Sequence, residues 1–465
     1  MINFKPLGKN VLEIKNYLMG QNAPFCDLSL GVKYIWRNDF RCEYAIVQNT
    51  LILKESTPEY SDAFYYPIGE NVESALQEID NYCKQKGIEL KFCCIDNVTA
   101  SELATRYPLT EIFNERNWSD YIYDANAFKT FKGKKYSGQR NHINKFKKTY
   151  QNCSFSIITP QNLQTAVDFI NEQTAKSDFS MWTEKAEAQN LTDYVNNAFR
   201  LGQVGGMVCD GNKVIGVSFG ERIGDTLIVH VEKADRNYQG VYPYLANAFA
   251  SAFAVDGVKF INREEDCGDM GLRISKLQYH PIEVKEKNFV KVKTLFDGLV
   301  DMPTLITERL EISYLQSGDI DEYYKLYTDQ ALNKYWGYDY KNDLSSDPTP
   351  QDFYDFALSL RQKREELSFA VRLKGKMIGE LVAYNFGYQA DCEVGYRFFS
   401  EHHGKGYAVE SAKALLDYIF GTLKANKTYT RCFKQNTPSH NLAIKLGYTQ
   451  TREDQTHYYF EKILR

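Results

Sequence analysis

The chain has 465 residues and a formal net charge of -4, from 56 Lys and Arg against 60 Asp and Glu. One hydrophobic core rarely organises that length, so two to four domains are expected. Apolar residues make up 43% and aromatics 14% of the chain, enough to fill several cores, which excludes an intrinsically disordered protein.

In chain order, the first 125 residues alternate strands (YAIVQNTLILKE, LKFCCIDN) with helices (VESALQEIDNYCKQKG, SELATRY), the order of an α/β or α+β layer. The next stretch, KGKKYSGQRNHINKFKK, gathers Lys132, Lys134, Lys135, Arg140, Lys145, Lys147 and Lys148 with no carboxylate among them. As a helix over 136–150, it puts Arg140, Asn144 and Lys147 on one face and Ile143, Phe146 and Tyr150 on an adjacent apolar stripe. Such a helix suits a phosphate-bearing ligand, from tRNA, a lipid headgroup or a nucleotide, with Asn141 as a further donor. A solvated charged face is the competing reading.

SFSIIT then reads as a strand, LQTAVDFINEQTAK as a helix, VGGMVCDGNKVIGVSFGERIGDTLIVHVEKAD as a strand meander with Asp-Gly and Gly-Asp turns, and YPYLANAFASAFAVDG as a helix. GVSFG at 216–220 fits Gly-x-Ser-x-Gly but lies between strands, whereas a nucleophile elbow needs a strand-to-helix turn, so a serine hydrolase is rejected. NREEDCGDMGLRISKLQYHP concentrates Asn262, Glu264, Asp266, Arg273, Lys276 and Tyr279 around Gly268 and Gly271, and Glu232, at the end of the meander, is placed to line the same cleft. A polar substrate site and an internal salt-bridge network explain that composition equally well.

TLFDGLVDMPT is a connector, after which a new pattern begins. LITERLEISYLQSGDIDEYYKLYTD gives a strand, a turn and a helix; ELSFAVRLKGKMIGELVAYNF and CEVGYRFF give strands. A Gly-rich break EHHGKGYA follows, then a helix VESAKALLDYIFG, a strand YTRCFK, a helix SHNLAIKLG and a last strand HYYFEKIL. Residues 150–290 show a fainter version of the same order, an internal structural repeat. Gly404-Lys405-Gly406, between a strand and a helix, is a place where backbone N–H groups and the helix dipole hold a pyrophosphate, although a plain turn also explains it.

The ten cysteines are scattered without a Cys-x-x-Cys pair, His402 and His403 are adjacent, and no His-Glu-x-x-His occurs, so reduced core thiols and no metal are expected. No segment approaches the roughly 18 apolar residues of a membrane helix, and MINFKPLGKNVLEIK lacks a signal-peptide pattern; a cytoplasmic protein without a transmembrane segment is expected.

TERLEI, EVGYRF, HHGKGYAVESAKALLDYIF and NTPSHNLAIKLGY together resemble the GCN5-related N-acetyltransferases (GNAT), of the ribosomal-protein alanine acetyltransferase (RimJ/RimL) type, over 303–465. The resemblance implies acetyl-CoA as co-substrate, its pyrophosphate held by the loop of His403, Gly404, Lys405, Gly406, Tyr407 and Ala408 and its pantetheine by backbone groups of Arg397, Phe398 and Phe399. It implies an amine acceptor, a protein N-terminus or a small molecule, with Glu393 as base and Ser439 serving the departing thiolate. Asn436 opens the motif that contains Ser439 and joins the cofactor-binding set. The plainer readings are an ordinary strand residue for Glu393 and a helix N-cap for Ser439. Glu401 stands where many members carry Gln or Arg, and Ala443 where other branches place a catalytic Tyr.

WSDYIYDANAFKTFKGKKYSGQRNHINKFKKTY, VIGVSFGERIGDTLIVHVEKADRNYQGVYPYLANAFA and FINREEDCGDMGLRISKLQYHPIEVKEKN resemble the DUF2156 family, related to the cytosolic C-terminal domain of phosphatidylglycerol lysyltransferases. That resemblance implies two tandem GNAT-like folds in 1–298, with sub-folds at about 1–130 and 131–298, ahead of a GNAT domain at 301–465. The expected fold class is therefore α/β (α+β), with three acyl-CoA N-acyltransferase-like folds. Relatives transfer aminoacyl groups from charged tRNA. The N-terminal region is accordingly read as binding an anionic substrate at Arg140, Asn141, Asn144, Lys147, Glu232, Asp266, Arg273 and Lys276, either as an aminoacyl-tRNA-dependent transferase or as a non-catalytic module. DRNYQGVYPY, with Gly240 as its one glycine, is a poor pyrophosphate cradle, so acetyl-CoA is not expected there.

Overall fold

Gln48 and Asn49 both take positive φ, 46° and 59°, and close a two-residue hairpin between Glu43–Val47 and Thr50–Glu55. Lys374 and Gly375, at 51° and 80°, do the same between Glu366–Leu373 and Lys376–Gly387. Turns of this hand match the twist of the flanking strands, so each fixes the register of its hairpin. The computed structural model describes residues 2–20, 24–57, 60–177, 181–336, 339–344 and 347–463. It forms two compact units, Met1–Tyr82, Lys91–Ser101 and Ile112–Val290 in one, and Cys83–Leu90, Glu102–Glu111 and Lys291–Arg465 in the other.

Two mixed sheets precede the connector. The first runs Lys5–Pro6, Glu43–Val47, Thr50–Glu55, Ala63–Phe64, Leu90–Ile95, Asn288–Val292, Thr110–Asn114, with Ile68–Gly69 paired to Thr50–Glu55. The second runs Glu283–Lys285, Asp120–Asp124, Phe260–Asn262, Thr226–Ala234, Lys213–Ile223, Val204–Asp210, Cys153–Ile157. Asp120–Asp124 thus joins the second sheet and Asn288–Val292 the first, so the chain crosses between sheets at both ends of the expected 131–298 sub-fold. One core explains why: Leu30, Tyr34 and Leu53 pack with Ile170, Tyr194, Val217 and Val231 from the second sheet and its helices.

The basic helix spans Ser137–Thr149 and buries Ile143 and Phe146, as its apolar stripe requires. The 20-residue helix Trp182–Leu201 was not legible in the sequence; it buries Leu191, Tyr194, Val195 and Ala198 and ends at Gly202 in the left-handed region.

The third sheet carries the second unit. Its strands are β1 (Leu305–Ile306), β2 (Leu310–Tyr314), β3 (Glu366–Leu373), β4 (Lys376–Gly387), β5 (Asp391–Phe398), β6 (Lys427–Phe433), β7 (Thr449–Glu453) and β8 (His457–Ile463), in the order β1-β2-β3-β4-β5-β6-β8-β7. Alternation divides its faces. Leu367, Phe369, Leu381 and Val394 pack under the helix Tyr407–Gly421 through Leu415, Leu416 and Ile419, while Ala370 and Met377 pack with Tyr323, Tyr327 and Phe353 of the helices on the other side. β5 and β6 are parallel, and their register covers only Asp391–Glu393 against Lys427–Tyr429. Beyond Glu393 the two strands part.

Candidate functional site

The parting of β5 from β6 is the origin of the site, because among the described residues it leaves the β5 edge from Val394 onward without a partner strand on that side. The loop that follows is anchored by His403, whose Nε2 lies 2.9 Å from the Phe398 carbonyl oxygen. Gly404 and Gly406 take φ of 73° and 86°, a conformation other residues adopt at a cost, and the space beside Gly404 is open. The first turn of the helix Tyr407–Gly421 begins with Glu410 N–H bonding to Gly406 O, so the N–H groups of Tyr407, Ala408 and Val409 precede the helical ladder. Lys405 is exposed beside them. This donor set at a helix N-terminus fits a pyrophosphate.

Arg309, not singled out in the sequence, supports the loop. Its Nε donates to Glu410 Oε2 at 2.7 Å, its Nη1 to Lys405 O at 3.1 Å, and it lies 4.6 Å from the Tyr407 ring centre. The signal was present as the Arg of TERLEI. Glu401 is exposed on the short helical turn Ser400–His402.

Of the strand residues expected to serve pantetheine, Phe398 is buried with its carbonyl facing His403, and Phe399 donates its N–H to Ile378 O at 3.1 Å. Arg397 is buried between Tyr327 and Trp336, at 4.0 and 4.3 Å from their ring centres, and pairs with Glu380 and Asn333. Its side chain is structural, and only its backbone lies on the open edge.

Ser439 is corrected in one respect. The N-cap of the helix Thr437–Lys445 is Asn436, whose Oδ1 accepts from Ser439 N–H at 3.3 Å, so Ser439 sits inside the first turn and its hydroxyl does not cap the helix. That hydroxyl is 3.3 Å from the hydroxyl of Tyr396 on β5. Burial pushes the Tyr396 phenol up to about 12, so it stays protonated and can donate. Sequence reasoning missed Tyr396; its place on the face opposite Glu393 follows from strand alternation alone.

Glu393 is nine-tenths buried. Its Oε2 accepts from Asn385 Nδ2 at 2.9 Å, and its Oε1 faces Arg431 Nε at 3.3 Å. Asn385 reaches it from a β-bulge in β4, where the register shifts between Tyr384 and Gly387 and Asn385 takes a φ of 53°.

In the first unit the expected residues fall into separate groups. Asp266, fully buried, accepts from Arg273 Nε and Nη2 (both 2.8 Å) and from the Tyr121 hydroxyl (2.6 Å); despite its burial these donors hold its carboxyl below the usual range. Glu232 is bound by Arg263 through Nε at 3.0 Å and Nη2 at 2.6 Å. Lys276 donates to the carbonyls of Arg263 (2.6 Å) and Glu265. This is the internal network that the mixed charges allowed. Arg140 is likewise turned inward, to the Phe131 and Gly133 carbonyls, the second at 2.6 Å, whereas Asn141, Asn144 and Lys147 are exposed. They are therefore not one constellation.

Ser218, Glu232 and Arg263 line a cavity of about 10 Å³, room for one water, at the place where Thr226–Ala234 and Phe260–Asn262 cease to pair. Gly240, at the head of the following helix, faces the His142 carbonyl so closely that a Cβ would come within 2.7 Å of it. The basic helix thus covers the turn where a pyrophosphate loop would stand.

A second polar centre in this unit escaped the sequence. Cys26, Asp27, Asp120 and Glu265 bring four ligand-type atoms within 4.8 Å of one another, and the Lys287 ammonium lies among them, 2.7 Å from Asp120 Oδ1, 3.4 Å from Cys26 Sγ and in contact with Asp27 and Glu265. Nearby, His230 lies between Glu264 Oε1 (2.6 Å) and Glu221 Oε1 (3.0 Å). Burial opposes its charge, but the two carboxylates prevail and push it up to about 9. No helix among the described residues is long and apolar enough to cross a membrane.

Comparison with known proteins gives these arrangements their context. The family model described as phosphatidylglycerol lysyltransferase, C-terminal, matches residues 23–290, and that of the acetyltransferase (GNAT) domain matches 309–449. A crystal structure of a conserved protein of unknown function from Bacteroides thetaiotaomicron is 29% identical, covering 63% of this chain and all of its own, with a TM-score of 0.59. An uncharacterized N-acetyltransferase, p20, of Bacillus licheniformis is 30% identical over 151 residues, 32% of this chain and 83% of the relative. An uncharacterized protein of Mycoplasmoides gallisepticum is 22% identical over 265 residues, 54% of this chain and 77% of its own. With its mixed α/β sheets and a parted strand pair ahead of a Gly-rich loop, the chain belongs to the family of phosphatidylglycerol lysyltransferase C-terminal domains, carries a GNAT domain behind that region, and is an N-acetyltransferase.

Proposed function

We propose that the GNAT domain takes acetyl-CoA as donor and an amine as acceptor, and that the chain divides functionally into 1–298 and 301–465. The observation that carries this reading is the loop His403 to Ala408, whose two positive-φ glycines, with open space beside Gly404, and early helical N–H groups meet the gap between β5 and β6. When bound, acetyl-CoA supplies a thioester carbonyl whose C–S bond breaks as the acceptor nitrogen forms a C–N bond. Glu393 helps to remove the ammonium proton of the acceptor, directly or through a water, and the nitrogen gives up its second proton on the same face. Ser439, with Tyr396 behind it, returns one proton to the sulfur, so one proton is released in all. The ten free thiols fit a reducing, cytoplasmic compartment. The N-terminal unit, in this reading, offers an anionic substrate the exposed Asn141, Asn144 and Lys147, while Arg140 orders the chain behind them.

Calorimetric titration of acetyl-CoA into the full chain should show one site, and Gly406→Ala should weaken it by about tenfold, since a left-handed backbone costs a residue with a Cβ about 1–2 kcal/mol. Absence of binding to the wild-type chain overturns the reading. Ser439→Ala should lower kcat by on the order of tenfold with unchanged acetyl-CoA affinity, less than the roughly 10²–10⁴ of a sole acid, because Tyr396 remains. Activity equal to wild type would remove Ser439 from the mechanism.

A further inference from the structure

The loop proposed to hold the pyrophosphate is shaped by a turn far from it in sequence. Thr307 to Leu310 reverse the chain between β1 and β2, which pair antiparallel, and Thr307 N–H bonds to Leu310 O at 2.9 Å. This turn reaches Glu410, in the first turn of the helix Tyr407–Gly421. The Thr307 hydroxyl donates to Glu410 Oε1 at 2.6 Å, and the Arg309 backbone N–H donates to the same oxygen at 3.0 Å. The Arg309 guanidinium takes the other oxygen, with Nε at 2.7 Å and Nη2 at 2.6 Å from Glu410 Oε2. Partial burial would raise the Glu410 carboxyl, but these donors prevail and hold it below the usual range, so it is ionised at neutral pH.

The remaining nitrogen of that guanidinium serves the loop. Arg309 Nη1 donates to Lys405 O at 3.1 Å, and the group lies 4.6 Å from the Tyr407 ring centre, on the side of Gly406 where a Cβ would stand. Lys405 O and Gly406 N–H belong to one peptide plane, and in a trans peptide the two point in opposite directions. Holding the carbonyl against Arg309 therefore aims the Gly406 N–H away from the guanidinium. Among the described residues the N–H groups of Gly404, Lys405 and Gly406 meet no acceptor, and all three residues are exposed. Positive φ at Gly404 and Gly406 turns the backbone so that neighbouring N–H groups converge, as in an anion-binding nest. With Nε, Nη1 and Nη2 all committed, Arg309 gives its charge to Glu410 and its geometry to the loop.

We infer that Arg309 is a positioning residue for the acetyl-CoA site: braced by Glu410, it holds the Lys405–Gly406 peptide with its N–H turned to the pyrophosphate. The inference rests on the acetyl-CoA reading above and adds what arranges that site before the donor arrives. Without the guanidinium this plane is free to turn, because glycine at 406 restricts it little, and a donor group that must be ordered on binding costs affinity. Lysine is no equivalent. One ammonium lacks the planar fork that pairs with Glu410 along one edge and holds a carbonyl with the other.

The test measures three dissociation constants for the full chain: acetyl-CoA and acetyl-3′-dephospho-CoA, which keep the pyrophosphate, by calorimetry, and S-acetylpantetheine, which lacks it, by ligand-observed NMR titration. Arg309→Ala should raise the first two by about tenfold, as expected for one charge-assisted hydrogen bond, and the third by less than about twofold. Arg309→Lys, which keeps the charge beside Glu410, should come within about threefold of Arg309→Ala. A folding defect lowers the number of sites and not the affinity of those that remain, so it is separated from the effect sought. Equal losses for all three ligands, no loss in Arg309→Ala, or full recovery in Arg309→Lys overturns this inference and leaves the acetyl-CoA reading standing. A wild-type chain that binds acetyl-CoA no better than S-acetylpantetheine places no pyrophosphate on the loop and sinks both.

Discussion

Lys287→Met is expected to destabilise the first unit by about 3–5 kcal/mol at pH 7, the range for removing one partner of a buried ionic cluster. The Lys287 side chain is 2% exposed, and its ammonium touches Asp27, Asp120 and Glu265, so removing it takes away the cation that these three carboxylates share. Burial alone would neutralise the lysine, but Asp120 and Asp27 hold its pKa well above the ordinary value, so it is charged at neutral pH. Methionine fills a similar volume and leaves those carboxylates facing one another. Urea unfolding followed by fluorescence of Trp36, Trp118 and Trp182 reads the change, and a midpoint equal to that of wild type would mean that the cluster contributes nothing.

The same substitution carries a pH signature. Burial, against the opposing Lys287, pushes Glu265 up to about 7. A carboxyl raised in the folded state binds its proton more tightly there than in the unfolded chain. Its contribution to stability therefore falls as pH rises from its unfolded value near 4.5 through about 7. Without Lys287 the cluster's carboxyls rise further, so the deficit of the variant should be smaller at pH 5 than at pH 7.5. His230 runs in the same sense: raised to about 9, it stabilises fully below about 6.5 and loses its contribution through about 9. Being present in both proteins, it cancels in the difference.

Cys26, Asp120, Glu265 and Lys287 show what the sequence could not display. They lie up to 261 residues apart, and no local period connects them. Their meeting depends on the chain returning Asn288–Val292 to the first sheet. In the C-terminal domain the reverse holds. Its strands alternate cleanly, Lys374-Gly375 announces its hairpin, and the loop and its helix are contiguous, so Glu393, Gly404 and Gly406 were legible by position. What escaped there was side-chain direction: Arg397 turns into an ion pair with Glu380, and Tyr396 turns to Ser439. The long helix Trp182–Leu201 escaped for a different reason, because its buried Leu191, Tyr194, Val195 and Ala198 are interleaved with Asn, Thr and Asp, which weakens the apolar period.

Glu393→Gln is expected to lower kcat with an alkylamine acceptor by roughly 10²–10⁴-fold, the usual contribution of a positioned general base. Glutamine keeps the size of the side chain and an oxygen for Asn385 Nδ2, but it cannot take a proton, so the substitution removes the chemistry and spares the packing. The loop proposed to hold acetyl-CoA precedes the helix Tyr407–Gly421 at the end of β5, apart from the Asn385 and Arg431 contacts of Glu393, so the donor's dissociation constant should not move. The acceptor provides the sharper discrimination. An alkylamine is protonated at neutral pH and must lose that proton before it attacks, whereas an arylamine is already neutral. The arylamine rate should therefore fall less in the variant, and the ratio of the two deficits measures how much of the work at Glu393 is removal of the first proton. A deficit below about tenfold with the alkylamine would make Glu393 an ordinary strand residue. A large deficit equal for both acceptors would instead place its role after attack, at the second proton on the nitrogen.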